Sequence, residues 1–291
     1  MHVIVHGGAG AKPERPDPRA TALGAAARAG SLAPDPAGAV VTAINAMERD
    51  PQFNAGIGGV LQSDGRVRTD AGIMANDRSI GAVAAMPDVA DAIRVAEAVR
   101  TQTPHVLLVG DGAVRFATAE GISTESGCVT DKQRADWRAA NFADATYEGR
   151  RELVAARFGD GRDTVGAVAT DGRRLVAGTS TAGRTFALRG RVGDVPQAGS
   201  GFFATDAGGA STTGAGEDIV RTTLARLAIT TLEAGVDPST AADRAIETFA
   251  VETASTAGII VATPDGDVGV AHNAPSMQTA VAIDGELVDP Q

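Results

Sequence analysis

The stretch TVGAVATDG, residues 164–172, decides the fold expected for this chain. Its first seven residues are small, apolar or β-branched, which is typical of a buried strand. Asp171 and Gly172 follow at once, and an Asp-Gly pair between two strand-like runs is a strong hairpin signal. The same pair recurs at residues 64–65, 265–266 and 284–285. Antiparallel strands are therefore expected throughout the chain.

Helical patterns lie between these hairpin signals. Apolar residues such as Val40, Ile44 and Met47 repeat at helical spacing after Pro36, a residue favoured at the first helical position. The helices are expected near 18–30, 36–49, 89–101, 112–120, 216–235 and 238–253. A buried strand over residues 2–5 opens the chain. Strands near both ends with helices between them predict an α+β fold, in which helices cover sheets, and not alternating βαβ units.

Composition limits the function classes. The 291 residues are 43% apolar but only 3% aromatic, so a large core must be built mainly from aliphatic side chains. The net charge of -10 argues against nucleic acid and against anionic membranes, since both need Lys and Arg. Only two of the 26 basic residues are lysine. This acidic composition fits either a high-salt cytoplasm or a GC-rich genome, and the sequence does not choose between them.

The sequence predicts a cytoplasmic protein. Cys128 is the single cysteine, so an internal disulfide cannot form, and we expect it to be a small buried or linker residue. The start is a strand pattern and not a signal peptide, and no run of apolar residues is long enough to span a membrane.

Residues 129–163 differ from the rest of the chain. They contain its only Trp and its only Tyr, carry many charges and end in FGDGRD, residues 158–163. This composition predicts an exposed helix or linker, with a flexible end at about 148–163. A flexible stretch that runs into a rigid strand exposes the peptide bond between Asp163 and Thr164.

Thr164 is a candidate nucleophile. Histidine is scarce, with four residues in the chain, so a mechanism that needs none gains weight. If the bond before Thr164 is cut, the new α-amine has a pKa of about 8 and can take the proton of the adjacent hydroxyl as it attacks. Asp163 could polarise that hydroxyl before the cut. A Thr that opens a strand is far more often only structural, so this argument needs the downstream residues.

Three downstream groups supply the rest of a hydrolase site. A hydroxyl from TST, residues 179–181, could lie beside Thr164 on the paired strand. Arg191 and Asp194 offer the cation and anion that bind an α-amino acid zwitterion, although a surface ion pair is the simpler interpretation. Thr213 and Gly214 stand ahead of a helix N-terminus, which favours an oxyanion hole or an ordinary helix cap.

The whole chain resembles the plant-type L-asparaginases and isoaspartyl peptidases. Each motif alone is weak, but their order and spacing together are specific. The motifs are HGGAG (6–10), DPQFNAG (50–56), DAGIM (70–74), TVGAVA (164–169), TST (179–181), GRVGD (190–194) and STTG (211–214).

The resemblance implies a four-layer αββα sandwich of two mostly antiparallel sheets flanked by helices, in one domain over 1–291. It implies self-cleavage into 1–163 and 164–291, usually kept together as a dimer of αβ units. Thr164 would be the nucleophile with Thr181 nearby, while Thr213 and Gly214 form the oxyanion hole. Arg191 and Asp194 would bind the substrate.

Two further features are implied less directly. Asn54 would lie near the active site. The loop over residues 47–56 would bind a sodium ion through backbone carbonyls, with no other cofactor and no metal held by side chains. The expected function is hydrolysis of β-aspartyl amide bonds, in L-asparagine or in β-aspartyl dipeptides.

Departures from the family pattern concern the leaving group. Asp163, in place of the usual Gly, and the run AGTST, residues 177–181, look more like glycosylasparaginase. Cleavage of N4-glycosylated asparagine is therefore an alternative.

Rivals outside this class are weaker. A serine esterase could use Ser180 with His272, but the chain after Ser180 does not continue as a helix. The glycines of residues 7–10 match neither nucleotide-binding pattern. A binding protein without catalysis would not need Thr164.

Overall fold

The computed structural model describes residues 1–124, 129, 131–156 and 164–288. Within these ranges the strands are β1 (His2–Gly10), β2 (Arg68–Ala75), β3 (Ile80–Pro87), β4 (Leu107–Val109), β5 (Val165–Thr170), β6 (Leu175–Thr181), β7 (Phe202–Thr205), β8 (Gly208–Gly214), β9 (Ala257–Ala262), β10 (Val268–His272), β11 (Ser276–Ile283) and β12 (Glu286–Val288). The helices are α1 (Pro16–Ser31), α2 (Pro36–Glu48), α3 (Ala92–Gln102), α4 (Gly110–Ala119), α5 (Asp131–Ala139), α6 (Tyr147–Ala156), α7 (Gly216–Thr222), α8 (Leu224–Glu233) and α9 (Pro238–Glu252).

The strands form two sheets. The larger has eight strands in the order β12-β11-β1-β5-β6-β2-β3-β4, and the smaller has four in the order β10-β9-β8-β7. Within the described ranges, β3 and β4 are the one parallel pair, and every other ladder is antiparallel. The predicted α+β fold with two mostly antiparallel sheets is confirmed.

Helices cover the outer face of each sheet. α1, α2 and α3 pack on the eight-stranded sheet, and α8 and α9 pack on the four-stranded sheet. Between the sheets, Ile4 and Val168 of the larger sheet share one buried apolar cluster with Phe202 and Ile260 of the smaller. The result is the predicted αββα arrangement, in which mainly aliphatic side chains pack between the two sheets.

Three of the four predicted hairpins are confirmed. The Asp-Gly pairs at 171–172, 265–266 and 284–285 connect β5 to β6, β9 to β10 and β11 to β12. The hairpin predicted at residues 64–65 is wrong. Residues 60–62 are not a strand, because the amide of Ser63 bonds to the carbonyl of Ala187 and joins this segment to a distant loop.

The predicted helix over 216–235 is two helices. Thr223 lies between α7 and α8 with φ 48° and ψ 51°, in the left-handed region, and this ends the first helix. The other five predicted helices are present as α1 to α4 and α9, with ends that differ by a few residues. Among the described residues, no helix is both long and apolar enough to cross a membrane.

The distinct segment over 129–163 contains α5 and α6, whose described side chains are mostly exposed. Trp137 of α5 packs back on the body and donates from Nε1 to the carbonyl of Ser63 at 3.2 Å. Of the flexible end predicted at about 148–163, residues 148–156 are helical and belong to α6. The rest of it, including Asp163, lies outside the described residues, and so does Cys128.

Candidate active site

Thr164 directly precedes β5, a strand in the middle of the larger sheet, and is 5% exposed. Val165 pairs with Ser180 across the β5–β6 ladder, so Thr164 is level with Thr181 on the next strand. Thr181 in turn pairs with Asp70 of β2. The β-ladders therefore bring Thr164, Thr181 and Asp70 into one row across three adjacent strands.

The second sheet closes over Thr164 from the other side. The backbone nitrogen of Thr164 donates to Oγ1 of Thr213, at the end of β8, at 3.3 Å. The same hydroxyl accepts from the amide of Ala9 in β1 at 3.3 Å. Gly214 follows with φ 135°, and a Cβ there would stand 2.7 Å from Cα of Ala257. Only glycine fits this turn toward α7.

Asn54 fixes the loop on the far side of Thr181. Its Nδ2 donates to the carbonyl of Gly183 at 2.7 Å, and its Oδ1 accepts from the amide of Val60 at 3.1 Å. Its backbone carbonyl accepts from the amide of Ala182 at 3.0 Å. Oγ1 of Thr181 accepts from the amide of Gly183 at 3.0 Å. Asn54 thus holds the turn after β6 in place, as expected of a residue near the site.

Arg191 is held in a fixed orientation by a partner from α7. Its Nε and Nη2 donate to the two carboxylate oxygens of Glu217, both at 2.9 Å. Two parallel bonds of this kind fix the guanidinium plane. Burial disfavours the charged form of Glu217, but the bonds and charge of Arg191 outweigh it and lower the pKa of Glu217 to about 2.

Glycines make room for this guanidinium. A Cβ on Gly193 would stand 2.8 Å from both Nη atoms of Arg191. A Cβ on Gly216 would stand 2.6 Å from Oδ1 of Asp194 and 2.8 Å from Nη2 of Arg191. Arg191 and Asp194 therefore lie against the N-terminus of α7, in a space that exists because Gly193 and Gly216 have no side chains.

Asp194 is buried and incompletely bonded. Its Oδ2 has no hydrogen-bond partner among the described residues. Burial raises the pKa of Asp194 to about 6, although the charge of Arg191 favours the ionised form. An unpartnered, buried carboxylate oxygen beside an oriented guanidinium is suited to binding an ammonium group. This geometry agrees with the role predicted for the pair, which stays a prediction.

Ser180 faces away from this row. Its hydroxyl donates to Oε1 of Glu48 in α2 at 2.6 Å, and both residues are fully buried. Burial raises the pKa of Glu48 to about 7. The serine that the esterase hypothesis requires is therefore bonded to a helix on the opposite face of the sheet from Thr164. Its other member, His272, bonds through Nδ1 to the carbonyl of Ala274.

His6 lies beside Thr164 but is poorly suited to act as a base. His6 lies between the sheets, with Nε2 at 2.8 Å from Oγ of Ser211 in β8. Burial lowers the pKa of His6 to about 3, so its ring stays neutral and is a weak base. A Cβ on Gly166 would collide with both side chains, so the two sheets approach each other closely beside Thr164.

Comparison with known proteins agrees with these features. A family model described as asparaginase matches residues 1–289. The chain belongs to the asparaginase family. The isoaspartyl peptidase/L-asparaginase of Macaca fascicularis is 38% identical over 99% of this chain and 96% of its own length. The human protein of the same name has the same identity and coverage. The plant-type L-asparaginase of Pyrococcus abyssi is 40% identical over 97% of this chain and 96% of its own.

Membership of the asparaginase family confirms the resemblance deduced from the motifs. It also confirms the predicted class of enzyme, an amidohydrolase of the N-terminal-nucleophile type. The structure places the predicted site residues that it describes close together around the start of β5. They are Thr164, Thr181, Thr213, Gly214, Arg191, Asp194 and Asn54. Asp163 lies outside the described residues.

Two residues of this asparaginase-family site were missed in the sequence. The pairing of Glu217 with Arg191 has no local signal in the sequence and needs the fold, since the two residues are 26 positions apart. Asp70 was seen only as part of a motif, and no local signal shows that β2 lies beside β6. In the described part of the chain, no group of three or more His, Cys, Asp or Glu side chains could hold a metal ion.

Proposed function

We propose that this protein hydrolyses β-aspartyl amide bonds with Thr164 as an N-terminal nucleophile. One observation carries the proposal: the backbone nitrogen of Thr164 is buried against the hydroxyl of Thr213, in a row with Thr181. A nucleophile whose own nitrogen becomes the base needs that nitrogen enclosed and hydrogen-bonded. The names of the relatives support the same chemistry, because they are isoaspartyl peptidases and L-asparaginases.

The protein first cuts its own chain between Asp163 and Thr164. The cut yields fragments 1–163 and 164–291 and turns the amide nitrogen of Thr164 into an α-amine with a pKa of about 8. In each later cycle the Thr164 hydroxyl attacks the side-chain amide carbonyl of the substrate. Its proton passes to the α-amine and then to the leaving nitrogen. Water finally hydrolyses the acyl-enzyme ester and releases aspartate.

Two pairs of residues bind the substrate around this reaction. Arg191 receives the α-carboxylate and Asp194 the α-ammonium, which fits the oriented guanidinium and the unpartnered Oδ2. Thr213 and Gly214 stabilise the oxyanion, which agrees with their place at the N-terminus of α7. Thr181 orients Thr164 from the adjacent strand.

The test of the nucleophile is intact mass measured on freshly purified wild-type protein and on Thr164→Ala. We expect fragments 1–163 and 164–291 from the wild type and one uncut chain from the variant. Ser180→Ala is the matched control, because it removes a neighbouring hydroxyl that faces α2, and it should still cut itself. An uncut wild type that is fully active would refute the mechanism.

The leaving group is tested by rates on three substrates. We propose L-asparagine and β-aspartyl dipeptides as substrates, in line with the names of the relatives. The features at residues 163 and 177–181 favour glycosylasparagine as the second candidate. A kcat/KM for glycosylasparagine above that for a β-aspartyl dipeptide would reverse this order.

We further propose that the loop over residues 47–56 binds a sodium ion. The conformation of Gly56, which has φ 51°, supports this proposal. A Cβ there would collide with the carbonyl oxygen of Glu48 and stand 2.8 Å from that of Ala90. Carbonyl oxygens that converge on one place suit a hard cation. The ion would brace the loop that carries Asn54, and it has no part in the chemistry.

Thermal unfolding in matched sodium and tetramethylammonium chloride tests the ion site. A bound ion should raise the midpoint of the wild type in sodium, by mass action on the folded state. The same midpoint in both salts would argue against the site.

We also propose a cytoplasmic location, as the sequence predicts, and a dimer of αβ units, as the family resemblance implies.

A further inference from the structure

Asp70 lies on the same face of the sheet as the proposed nucleophile. It pairs with Thr181, and residues that are paired on adjacent strands share a face. That face meets the second sheet, since a Cβ on Gly72, two residues further along β2, would collide with Phe202 of β7. With strands about 4.8 Å apart, Asp70 stands about 10 Å from Thr164 along the row. Asp70 is 3% exposed.

A β-bulge fixes the position of Asp70. The ladder between β2 and β3 changes register between Thr69 and Ala71. On the opposite strand Ala85 has φ 52°, a conformation that a residue with a Cβ rarely adopts. The amide of Ala85 donates to Oδ1 of Asp70 at 2.7 Å. Bulges and left-handed residues of this kind are concentrated at functional sites, where they re-aim a side chain.

The charges around Asp70 are unbalanced. Among the described residues, the charged groups that act on it are Arg191 and Asp194, from the segment after β6. From the neighbouring strands, Asp70 faces the backbone amide of Ala85 in β3 and Thr181 in β6, neither of which is charged. α3 packs on the opposite face of β2. Arg191 is already paired with Glu217. Glu217 also contacts Arg184, but among the described residues Arg191 is the one cation that acts on Asp70, and it acts on Glu217 and Asp194 as well. Of these three carboxyl groups, Asp70 and Asp194 are both buried.

Two buried carboxyl groups that share an already paired cation cannot both ionise easily. Asp194 ionises more easily than Asp70, because Arg191 lies close to its carboxylate. Asp70 accepts a hydrogen bond from the backbone amide of Ala85. Burial raises the pKa of Asp70 to about 7, and the charge of Asp194 raises it further against the opposing effects of Ala85 and Arg191.

We propose that Asp70 is a positioning residue that holds a proton while substrate binds, and so leaves Asp194 as the ionised partner of the substrate ammonium. The inference rests on the proposed function, because it takes Arg191 and Asp194 as the amino-acid clamp. When Asp70 loses its proton, a second negative charge lies beside Arg191 and opposes the substrate α-carboxylate. Substrate affinity should therefore fall as pH rises through about 7.

The test is calorimetric binding of L-aspartate to the self-cleaved enzyme, for the wild type and Asp70→Asn. The carboxamide oxygen still accepts from Ala85, but the group cannot ionise. Between about pH 6 and pH 8 we expect the wild-type dissociation constant to rise about three- to tenfold more than that of the variant, since one pKa unit of coupling is tenfold. The α-amine of Thr164 is present in both proteins and cancels in the comparison.

Asp91→Asn is the matched control. Asp91 is 1% exposed and bonds to Asn45 and Arg49, away from the row. It should keep the wild-type pH dependence. Asp70→Ser is a second variant, whose hydroxyl can accept from Ala85, and it should behave as Asp70→Asn does.

The same pH dependence in the wild type and both Asp70 variants would overturn the proposal. Failure of both variants to fold would overturn it too, because Asp70 would then serve the fold. The proposed function is judged separately, by hydrolysis of β-aspartyl amides by the wild type. An enzyme that binds L-aspartate without hydrolysing these amides would end the proposed function, while the comparison of variants would still decide the role of Asp70.

Discussion

Arg191 and Asp194 are recognisable in the sequence as a cation and an anion three residues apart in a glycine-rich loop, a pattern that fits an amino-acid clamp or a surface ion pair. What makes the pair usable was not predictable. The carboxylate of Glu217, which orients Arg191, reaches it from α7, and the open Oδ2 of Asp194 depends on burial by elements far along the chain. Spacing along a sequence shows which side chains are available, but their partners are set by the fold.

The ionisation of Asp194 predicts how substrate binding depends on pH. Burial raises its pKa to about 6, so below that pH the group is protonated and can no longer offer a negative charge to the substrate ammonium. We expect KM to rise by about tenfold for each pH unit below about 6. Steady-state rates measured from about pH 5 to pH 8 would separate this change in KM from changes in kcat. A KM that stays constant across this range would exclude Asp194 as the ammonium ligand.

Gly216→Ala tests the space around the clamp. The new Cβ would stand 2.6 Å from Oδ1 of Asp194 and 2.8 Å from Nη2 of Arg191, so at least one of them must move. We expect kcat/KM to fall by about tenfold or more, mainly through KM, because misplaced binding groups weaken productive binding. Self-cleavage, followed by intact mass, should persist. Unchanged kinetics would mean that the clamp lies elsewhere.

At the scale of elements, the hairpins and helices followed from local signals, and the failures have local causes as well. Residues 60–65 have the pattern of a hairpin, but Ser63 bonds to Ala187 and the segment joins a loop. The helix pattern over 216–235 is periodic throughout, but Thr223 breaks it, and the amides of Ala225 and Arg226 bond to the carbonyls of Ser200 and Gly199 in a distant loop. Tertiary contacts overruled the local pattern at both places.

The close approach of the two sheets can be tested by adding one methyl group. Gly166→Ala would drive a Cβ into Ser211 and His6, whereas Gly112→Ala in α4 meets nothing within 4 Å. Overpacking of this kind costs about 1–3 kcal/mol, while the helical Ala stabilises by about 0.5–1 kcal/mol. Denaturant unfolding of the two variants should give changes of opposite sign. Equal stability would mean that the sheets are free to separate.

For the whole molecule, the order of strands in the larger sheet determines how the two fragments are held together after self-cleavage. β1 lies between β11 and β5, and β2 borders β6, so groups of strands from before and after residue 164 are interleaved across the larger sheet. The sequence predicted strands and layers but not this order, because pairing between distant strands leaves no local signature. The order nevertheless determines what self-cleavage can do to the protein.

We predict that the cut protein remains one particle. Separation of fragment 1–163 from fragment 164–291 would break the ladders of β1 with β5 and β11 and of β2 with β6. The fragments should therefore sediment together in dilute buffer and separate only in denaturant. The uncut Thr164→Ala variant gives the reference for size and shape. Free fragments in native buffer would contradict the strand order.

The same interleaving of strands prevents the two fragments of one molecule from being exchanged with those of another. A fragment can leave its partner only by unfolding, so a cut molecule would not exchange halves with its neighbours in a mixed population. When an inactive variant is produced beside the wild type, each αβ unit keeps the pair of fragments that came from one translated chain. Activity in such a mixture should follow the fraction of wild-type chains, with no hybrid units of intermediate activity.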